Sequence, residues 1–293
     1  GEEVTVHEIR RVSGGTAANV AVAAARILGP GRVAFIGALG DDDIAERQLD
    51  ILEGEGVDAS GVVRAKGLES GQAYITIGSR GENEIHTYFG ANMRLTRQRL
   101  EEPARLSLIR GARVAVLMDP PLEAAEGFAG LCRANDVMVL WDPGVYAELG
   151  VEALSHVMKD VDYFILNHLE FENLLGTSDP EQVGRLLSAE KRGIKAIIKR
   201  GGDGCTLCGG GKGATIHIGA VPLERLGLQV VNTVGCGDAF IGAFAAAKVE
   251  GMSDIDALRR GCAAGSFKAT RMETRGGPTE EELEEMLRRW EEL

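Results

Sequence analysis

Residues 231–244, VNTVGCGDAFIGAF, join a glycine-rich turn to a run of small and apolar residues that is typical of a buried helix. Gly235 and Gly237 let the backbone turn tightly, so that several N–H groups can point at one spot. The positive end of the helix dipole lies there too, and the two effects predict an anion site that suits a phosphate. Asp238 lies in the middle of this turn. The residues alone leave two interpretations open: Asp238 accepts a proton from an attacking hydroxyl, or it caps the helix.

Short apolar runs alternate with helical patterns on the N-terminal side of this turn. The alanine-rich residues 16–28 predict a helix that ends before Gly29 and Pro30. Further along, apolar runs between helical segments predict buried strands at residues 114–118, 137–141, 163–166 and 196–199. Such strands are typical of a parallel sheet covered on both faces. We therefore predict an α/β fold of three layers, α/β/α, doubly wound around a mainly parallel central sheet.

Two runs of alternating residues, 73–77 and 85–89, flank a Gly-Ser-Arg-Gly turn and predict a β-hairpin. We expect the hairpin to form a small β lid with other strand-like segments, over about residues 1–13, 61–65 and 73–90. The chain has no long linker and no repeat, so we expect one domain over residues 1–293. Exposed lid strands can pair between subunits, which leaves a homodimer through the lid as an open expectation.

The charge balance argues against polyanionic partners. The 293 residues include 32 Lys and Arg against 44 Asp and Glu, a formal net charge of −12. Such a chain lacks the electrostatic attraction that drives binding to nucleic acids and anionic membranes. No apolar run approaches the ~20 residues of a membrane span, so we expect a cytoplasmic protein with no nucleic-acid or membrane partner. Cys205 and Cys208 have the spacing of half a zinc site, but residues three apart in a strand point to opposite faces, which disfavours a metal there.

The turn at residues 231–244 resembles the signature of the ribokinase-like (PfkB) family of carbohydrate and nucleoside kinases. That signature reads Asp-Thr-x-Gly-Ala-Gly-Asp-x-Phe, and this chain departs from it at Asn232 and Cys236. Residues 14–21 are similar to the family's Gly-Gly-x-x-x-Asn-x-Ala segment. Other segments follow in the family's order, among them the Asn-x-x-Glu element, at residues 40–58, 90–92, 167–170 and 199–204. Motifs in order over almost the whole chain are more specific than one glycine loop, and they imply a single ribokinase-like kinase domain.

The resemblance implies that Asp238 is the catalytic base. It also implies that the backbone of Gly235, Cys236 and Gly237 forms an anion hole for the transferred phosphoryl group, which suits a reaction that depends on positioning and charge neutralisation. The Cys236 side chain is either a small filler or a thiol whose pKa is lowered by the N–H groups beside it.

The resemblance also implies metal ions. Glu170 and Asn167 would organise Mg²⁺ and its waters near the triphosphate of ATP. A monovalent cation, K⁺, is left open as a further cofactor, held by backbone carbonyls at Asn232 and Val234. The Asn at position 232 could weaken such a site.

Two groups of residues are implied to contact the ligands. The acceptor-binding group consists of Gly14, Gly15, Asn19, Asn92 and Asp142. The nucleotide-binding group consists of Lys199, Gly201, Gly204 and Asn167. Without the resemblance, the two early glycines also fit a plain turn, and Lys199 also fits a solvent-exposed strand end. The family's first strand, with an acceptor-binding Asp, is missing from residue 1 onward, and we expect it upstream.

We therefore expect an ATP-dependent kinase that phosphorylates a hydroxyl of a small sugar, similar to ribokinase or fructokinase. A nucleoside kinase of the same family is the alternative, although only Tyr74, Tyr88 and Phe89 offer aromatic rings for a base in the lid. A non-catalytic sugar or nucleotide sensor is a second alternative, and the departures at Asn232 and Cys236 are its support. A dinucleotide dehydrogenase is disfavoured because no Gly-x-Gly-x-x-Gly follows the first strand.

Overall fold

The computed structural model describes residues 7–77, 83–191, 193–210 and 215–293. Within these residues the α-helices, numbered in chain order, are α1 Thr16–Leu28, α2 Asp43–Gly54, α3 Arg97–Leu100, α4 Pro103–Gly111, α5 Leu122–Ala134, α6 Val151–Met158, α7 His168–Leu175, α8 Pro180–Glu190, α9 Cys236–Val249, α10 Asp254–Ala269 and α11 Glu280–Glu291. The strands are β1 Val33–Ala34, β2 Ala38–Leu39, β3 Val57–Asp58, β4 Val63–Arg64, β5 Gln72–Ile77, β6 Asn83–Tyr88, β7 Val114–Met118, β8 Met138–Asp142, β9 Tyr163–Asn167, β10 Lys195–Lys199, β11 Cys205–Gly209 and β12 Ile216–Ile218.

A six-stranded sheet with the order β12-β11-β10-β9-β8-β7 forms the centre of the fold. Strands β7 to β10 are parallel, and β11 and β12 continue the sheet in antiparallel orientation. The register pairs Met118 with Asp142 and Asn167 with Lys199, so the four parallel strands end at the same edge. The predicted mainly parallel α/β fold is confirmed, and the strands extend into the polar residues at their carboxyl ends.

Helices cover both faces of this sheet, as the continuous apolar strands predict. One face packs against α5 to α8 through a core that includes Trp141, Phe164 and Cys208. The other face packs against α1, α9 and α10 through a core that includes Tyr163 and Cys205. Neighbouring strand residues therefore belong to different cores. Cys205 and Cys208 accordingly lie on opposite faces of the sheet.

A contact between small residues sets the spacing of α1 and α9. Gly242 lies so close to α1 that an added Cβ would be 2.6 Å from Ala23 Cβ and 2.9 Å from the Val20 carbonyl oxygen. Asn19 and Ala23 are four residues apart on α1, as Asp238 and Gly242 are on α9, so each pair shares one helix face. The close approach at Gly242 therefore brings Asn19 next to Asp238.

The predicted hairpin is present as β5 and β6, which pair in antiparallel register from Gln72 with Tyr88 onward. Its predicted turn lies outside the described residues. The other expected lid strands are arranged differently: Val63 and Arg64 pair in parallel with Ala38 and Leu39, not with the hairpin. Residues 7–13 form no helix or strand, and residues 1–6 are outside the described part. The hairpin is thus the part of the predicted lid for which the structure has a matching sheet.

None of the described helices is both long and apolar enough to cross a membrane.

The contact at Gly242 predicts opposite effects for two Gly→Ala substitutions. Gly242→Ala should lower the free energy of unfolding by about 1–3 kcal/mol, because the new methyl group forces the helices apart and this outweighs the gain in helix propensity. Gly54→Ala is the matched control, since Gly54 is also in a helix but has open space around it. The control should be neutral or more stable by up to about 1 kcal/mol. Urea denaturation of both variants measures this, and equal effects would contradict the packing argument.

Candidate active site

A chain of hydrogen bonds holds the Asp238 carboxylate beside the ends of the parallel strands. Asn19 Nδ2 donates to Asp238 Oδ2 at 2.7 Å. Arg275 Nε donates to Asn19 Oδ1 at 2.9 Å, which fixes the orientation of the Asn19 amide with its NH₂ toward Asp238. Asn19 is buried, and its position inside the alanine-rich helix is thus explained by a specific polar role.

Arg275 also connects these hydrogen bonds to the Gly14-Gly15 loop, which was predicted to bind the acceptor. Its Nη2 donates to the Gly14 carbonyl oxygen at 2.7 Å and to Gln48 Oε1 at 2.9 Å. The sequence analysis missed Arg275, because it lies in a coil before two glycines and no local pattern marks it. The predicted residues Gly14, Asn19 and Asp238 are brought together by this one guanidinium.

The electrostatic surroundings of Asp238 favour its neutral form. Burial raises the pKa of Asp238, and the nearby Asp142 carboxylate raises it further. The Asn19 hydrogen bond and the positive charges of Lys199 and Arg275 oppose this effect without cancelling it. The pKa of Asp238 is therefore above the ordinary value of an aspartate, which makes its carboxylate a stronger base.

The N-terminus of α9 is open to a ligand. Gly235 is its N-cap with φ of 86°, a left-handed conformation, and an added Cβ there would lie 2.3 Å from the Thr274 carbonyl oxygen. No side chain caps this helix, so Asp238 is not its cap. The N–H groups of Gly237 and Asp238 have no partner among the described residues and are available to a ligand, whereas the Cys236 N–H, predicted to be part of the anion hole, donates to the Thr233 carbonyl oxygen at 3.2 Å. A Cβ at Gly237 would lie 3.6 Å from Lys199 Nζ, so an ammonium flanks the same turn.

Lys199 and Asp142 form an ion pair at the ends of β10 and β8, with 2.7 Å between Nζ and Oδ2. Burial alone would lower the pKa of Lys199, but the Asp142 carboxylate together with the charges of Glu170 and Asp238 outweighs it and the pKa is raised. The backbone N–H of Gly144 donates to the other Asp142 oxygen at 3.1 Å. The residue predicted to bind nucleotide and a residue predicted to bind acceptor are thus partners of each other, and Lys199 is not a solvent-exposed strand end.

Asn167 and Glu170 form a reciprocal capping box at the start of α7. The Asn167 side chain accepts from the Glu170 N–H at 2.9 Å, and Glu170 Oε2 accepts from the Asn167 N–H at 2.7 Å. Burial raises the pKa of Glu170. In the described part of the chain no group of three or more His, Cys, Asp or Glu residues is arranged to hold a metal. Within the described ranges the second oxygen of the Glu170 carboxylate is free. Glu170 therefore still fits a Mg²⁺ ion whose other ligands are mainly phosphates and water.

The remaining predicted residues have clear structural positions. Gly15 is the N-cap of α1 with φ of 94°, and Gly14 has open space beside it. A Cβ at Gly204 would lie 2.1 Å from the Ile218 carbonyl oxygen, so packing against β12 requires glycine there, whereas Gly201 has open space. The Asn92 side chain packs over Gly71, where an added Cβ would lie 2.6 Å from its Nδ2. Ligand contacts for these residues stay predictions.

Residues 1–282 match the family described as pfkB family carbohydrate kinase. The chain belongs to the PfkB family. It is 30% identical over 292 residues to ribokinase of Bacillus subtilis, covering 98% of this chain and 92% of that protein. It is 28% identical to ribokinase of Haemophilus influenzae over 98% of this chain and 91% of the relative. The structure of Arabidopsis thaliana ribokinase complexed with ribose and ATP superimposes with a TM-score of 0.87 at 25% identity, covering 98% of this chain and 91% of that one. This PfkB kinase transfers phosphate to a hydroxyl of a carbohydrate or nucleoside.

A further, half-buried acid in this PfkB kinase, Asp119, was not predicted from the sequence. Asp119 follows β7 and has φ of 49°, a left-handed conformation that aspartate tolerates better than most residues. Thr16 Oγ1 donates to Asp119 Oδ2 at 3.3 Å, and the backbone N–H of Val145 also faces the Asp119 carboxylate. Burial and the charge of Asp142 raise the pKa of Asp119 to about 7. Its place after a buried strand, like that of Asp142, was the available signal.

The two positions where this PfkB kinase departs from the signature lie in residues 232–238, the anion turn, and Asn232 braces it. Asn232 Oδ1 accepts from the Val234 N–H at 3.0 Å, and Asn232 Nδ2 donates to the Met272 carbonyl at 2.7 Å. Burial raises the pKa of Cys236, so the alternative of an activated thiol is wrong. Burial removes more stabilisation from the thiolate than the neighbouring Lys268 charge returns. Cys236 is a small filler.

The raised pKa of Asp119 predicts a pH-dependent stability difference for Asp119→Asn. Between pH 4 and pH 7 the folded wild type binds more protons at this site than the unfolded chain, so its stability falls as pH rises. Asp119→Asn removes this loss and should be more stable than wild type at pH 8, by at most about 4 kcal/mol, with a smaller gain at pH 4.5. The control is Asp136→Asn, an exposed aspartate with φ of 56°. Melting curves at both pH values check this, and a gain independent of pH would contradict it.

Proposed function

We propose that this PfkB kinase uses ATP to phosphorylate a hydroxyl of a small sugar, with Asp238 as the general base. The observation that carries the proposal is the position of Asp238: Asn19 holds its carboxylate at the uncapped N-terminus of α9. A base and an anion site are thereby adjacent. Phosphoryl transfer needs this combination, because the attacking hydroxyl loses a proton while the transferred group carries negative charge.

The two oxygens of the Asp238 carboxylate have different roles: one holds the side chain in position, and the other accepts the proton. Oδ2 accepts from Asn19, and within the described residues Oδ1 accepts no hydrogen bond. Oδ1 is therefore available to the hydroxyl of the acceptor. The raised pKa of Asp238 supports the proton transfer, since a base works best when its pKa approaches the working pH. Asn19 keeps the carboxylate in place while its protonation state changes.

The anion site supplies fixed positive potential for the transferred phosphoryl group. The backbone N–H groups of Gly237 and Asp238 at the start of α9 have no partner among the described residues, and the Lys199 ammonium lies beside Gly237. Donors that are already in position need no reorganisation during the reaction, and each can contribute ~10²–10³ to the rate. The ion pair with Asp142 holds Lys199 in this place. Mg²⁺ near Glu170 and Asn167 would neutralise charge on the triphosphate.

The acceptor side favours a sugar over a nucleoside. The open Gly14-Gly15 loop, the Asn19 amide and the Asp119 carboxyl group present hydrogen-bonding groups of the kind that hydroxyls need. The hairpin tyrosines Tyr74 and Tyr88 are 59% and 45% exposed, and they do not form a ring pair that would enclose a base. The Arabidopsis structure is of a ribokinase complexed with ribose and ATP, and we extend this donor and this class of acceptor to the present chain.

Asp238→Asn tests the assignment of the base. We expect turnover to fall by ~10²–10⁴-fold, because the amide cannot accept the proton. Nucleotide affinity should be unchanged or slightly tighter, since a negative charge near the phosphates is removed. The melting temperature should not fall, because neutralising a buried carboxylate removes a desolvation cost. Asp50→Asn, on the exposed side of α2, is the matched control. Near-normal turnover by a folded Asp238→Asn variant would overturn the assignment.

A panel of pentoses, hexoses and nucleosides with ATP and Mg²⁺ tests the acceptor class. We expect the highest kcat/KM with a sugar, because the acceptor groups are polar and the described aromatic rings do not enclose a base. A nucleoside as the best acceptor would support the alternative kinase. Binding of sugar and ATP measured by calorimetry without any turnover would instead support the sensor alternative.

A further inference from the structure

Lys268 is a buried ammonium whose partners are backbone carbonyls. Its residue is 0% exposed, in the last turn of α10. Nζ donates to the Asn232 carbonyl oxygen at 2.8 Å and to the Arg271 carbonyl oxygen at 3.3 Å. Throughout the described ranges no carboxylate lies within ion-pair distance of it. Buried lysines are usually paired with an acid, so this arrangement calls for a specific explanation.

The two carbonyls belong to the two segments that build the active site. Asn232 starts the anion turn, and its carbonyl oxygen also lies 3.9 Å from Sγ of Cys236, the first residue of α9. Arg271 starts the segment that leads to Arg275, which orients Asn19 and thereby Asp238. Lys268 thus connects the anion turn to the segment that runs from Arg271 to Arg275.

A positive charge surrounded by carbonyl oxygens is the environment in which proteins hold K⁺. The Asn232 carbonyl is one of the two groups that the sequence analysis assigned to such an ion. In this chain that oxygen already accepts from Lys268 Nζ, and an ammonium carries the same charge as K⁺. The residues present therefore do not fit a separate K⁺ at this carbonyl.

We propose that Lys268 replaces a monovalent cation, so that this kinase holds its anion turn in place without K⁺. Lys268 acts as a positioning residue: it touches neither the base nor the phosphoryl group, and it fixes the turn whose N–H groups face the phosphate. The inference rests on the proposed role of this turn as the anion hole. The proposal also gives a reason for the Lys268 charge near the N-terminus of α9, where the helix dipole makes a cation unfavourable.

The first test compares wild-type turnover in KCl, NaCl and choline chloride at equal ionic strength. We expect the three rates to agree within about twofold, because the internal ammonium makes the external cation unnecessary. A rate that depends on K⁺ would overturn the proposal while leaving the kinase function intact. If no acceptor is turned over, the kinase assignment fails instead, and the following melting experiment still tests Lys268.

Lys268→Ala should convert the protein into one that responds to K⁺. We expect its turnover in choline chloride to fall about 10- to 100-fold, since a small displacement of the anion turn is costly. KCl or NH₄Cl should restore at least part of it, because the substitution frees both carbonyls and opens space for an ion. The melting temperature of this variant should rise by about 2 °C or more in KCl relative to choline chloride, whereas that of the wild type should not.

Lys248→Ala is the matched control. Lys248 is also largely buried, with 10% of its side chain exposed, and Nζ donates to the Met252 carbonyl at 2.8 Å, but it lies at the other end of α9 and pairs with Asp254. Its turnover and melting temperature should not respond to K⁺. Should Lys268→Ala fail to fold, Lys268→Met keeps most of the volume and should have low turnover that K⁺ does not restore. Normal turnover of either folded Lys268 variant in choline chloride would overturn the proposal.

Discussion

The close approach of α1 and α9 is the constraint on which the site depends. Because Gly242 lets Ala23 come into contact, the preceding turns of the two helices are close enough for Asn19 and Asp238 to share a hydrogen bond. Apolar packing thus fixes the distance between polar groups one turn away. Interiors pack densely and resist compression, so this spacing is held more rigidly than a loop could hold it.

The site collects acidic groups that would repel one another without specific partners. Asp119, Asp142 and Asp238 lie within mutual electrostatic range, and the pKa values of Asp119 and Asp238 are raised as a result of burial and of this proximity. Lys199 forms an ion pair with Asp142, and its charge also opposes the rise in the pKa of Asp238. Such an arrangement costs stability, and proteins retain it where chemistry needs groups with shifted pKa values.

Local patterns predicted much of this molecule, and long-range contacts account for what they missed. Alternating apolar runs located the parallel strands, and the glycine-rich turn located Asp238. Arg275 was missed because its partner Asn19 lies 256 residues earlier in the chain. Asn167 and Glu170, assigned from a family motif, also satisfy the pattern of a capping box, and the sequence cannot distinguish a helix cap from a ligand contact. Residues 61–65 were expected in the lid without a strand partner. Val63 pairs with β2, and the sequence could not identify this partner because two-residue strands carry too little periodicity.

The carbonyl-bound ammonium of Lys268 has a thermodynamic consequence. A free ion occupies its site by mass action, so its occupancy follows the salt composition around the protein and each dissociation must be reversed. A cation that belongs to a helix has no dissociation equilibrium, and the entropic cost of placing it falls entirely on folding. The geometry of the anion turn is then coupled to the integrity of α10 rather than to the ions in solution. Such a protein cannot be regulated through the concentration of a free cation, because its own ammonium is always in place.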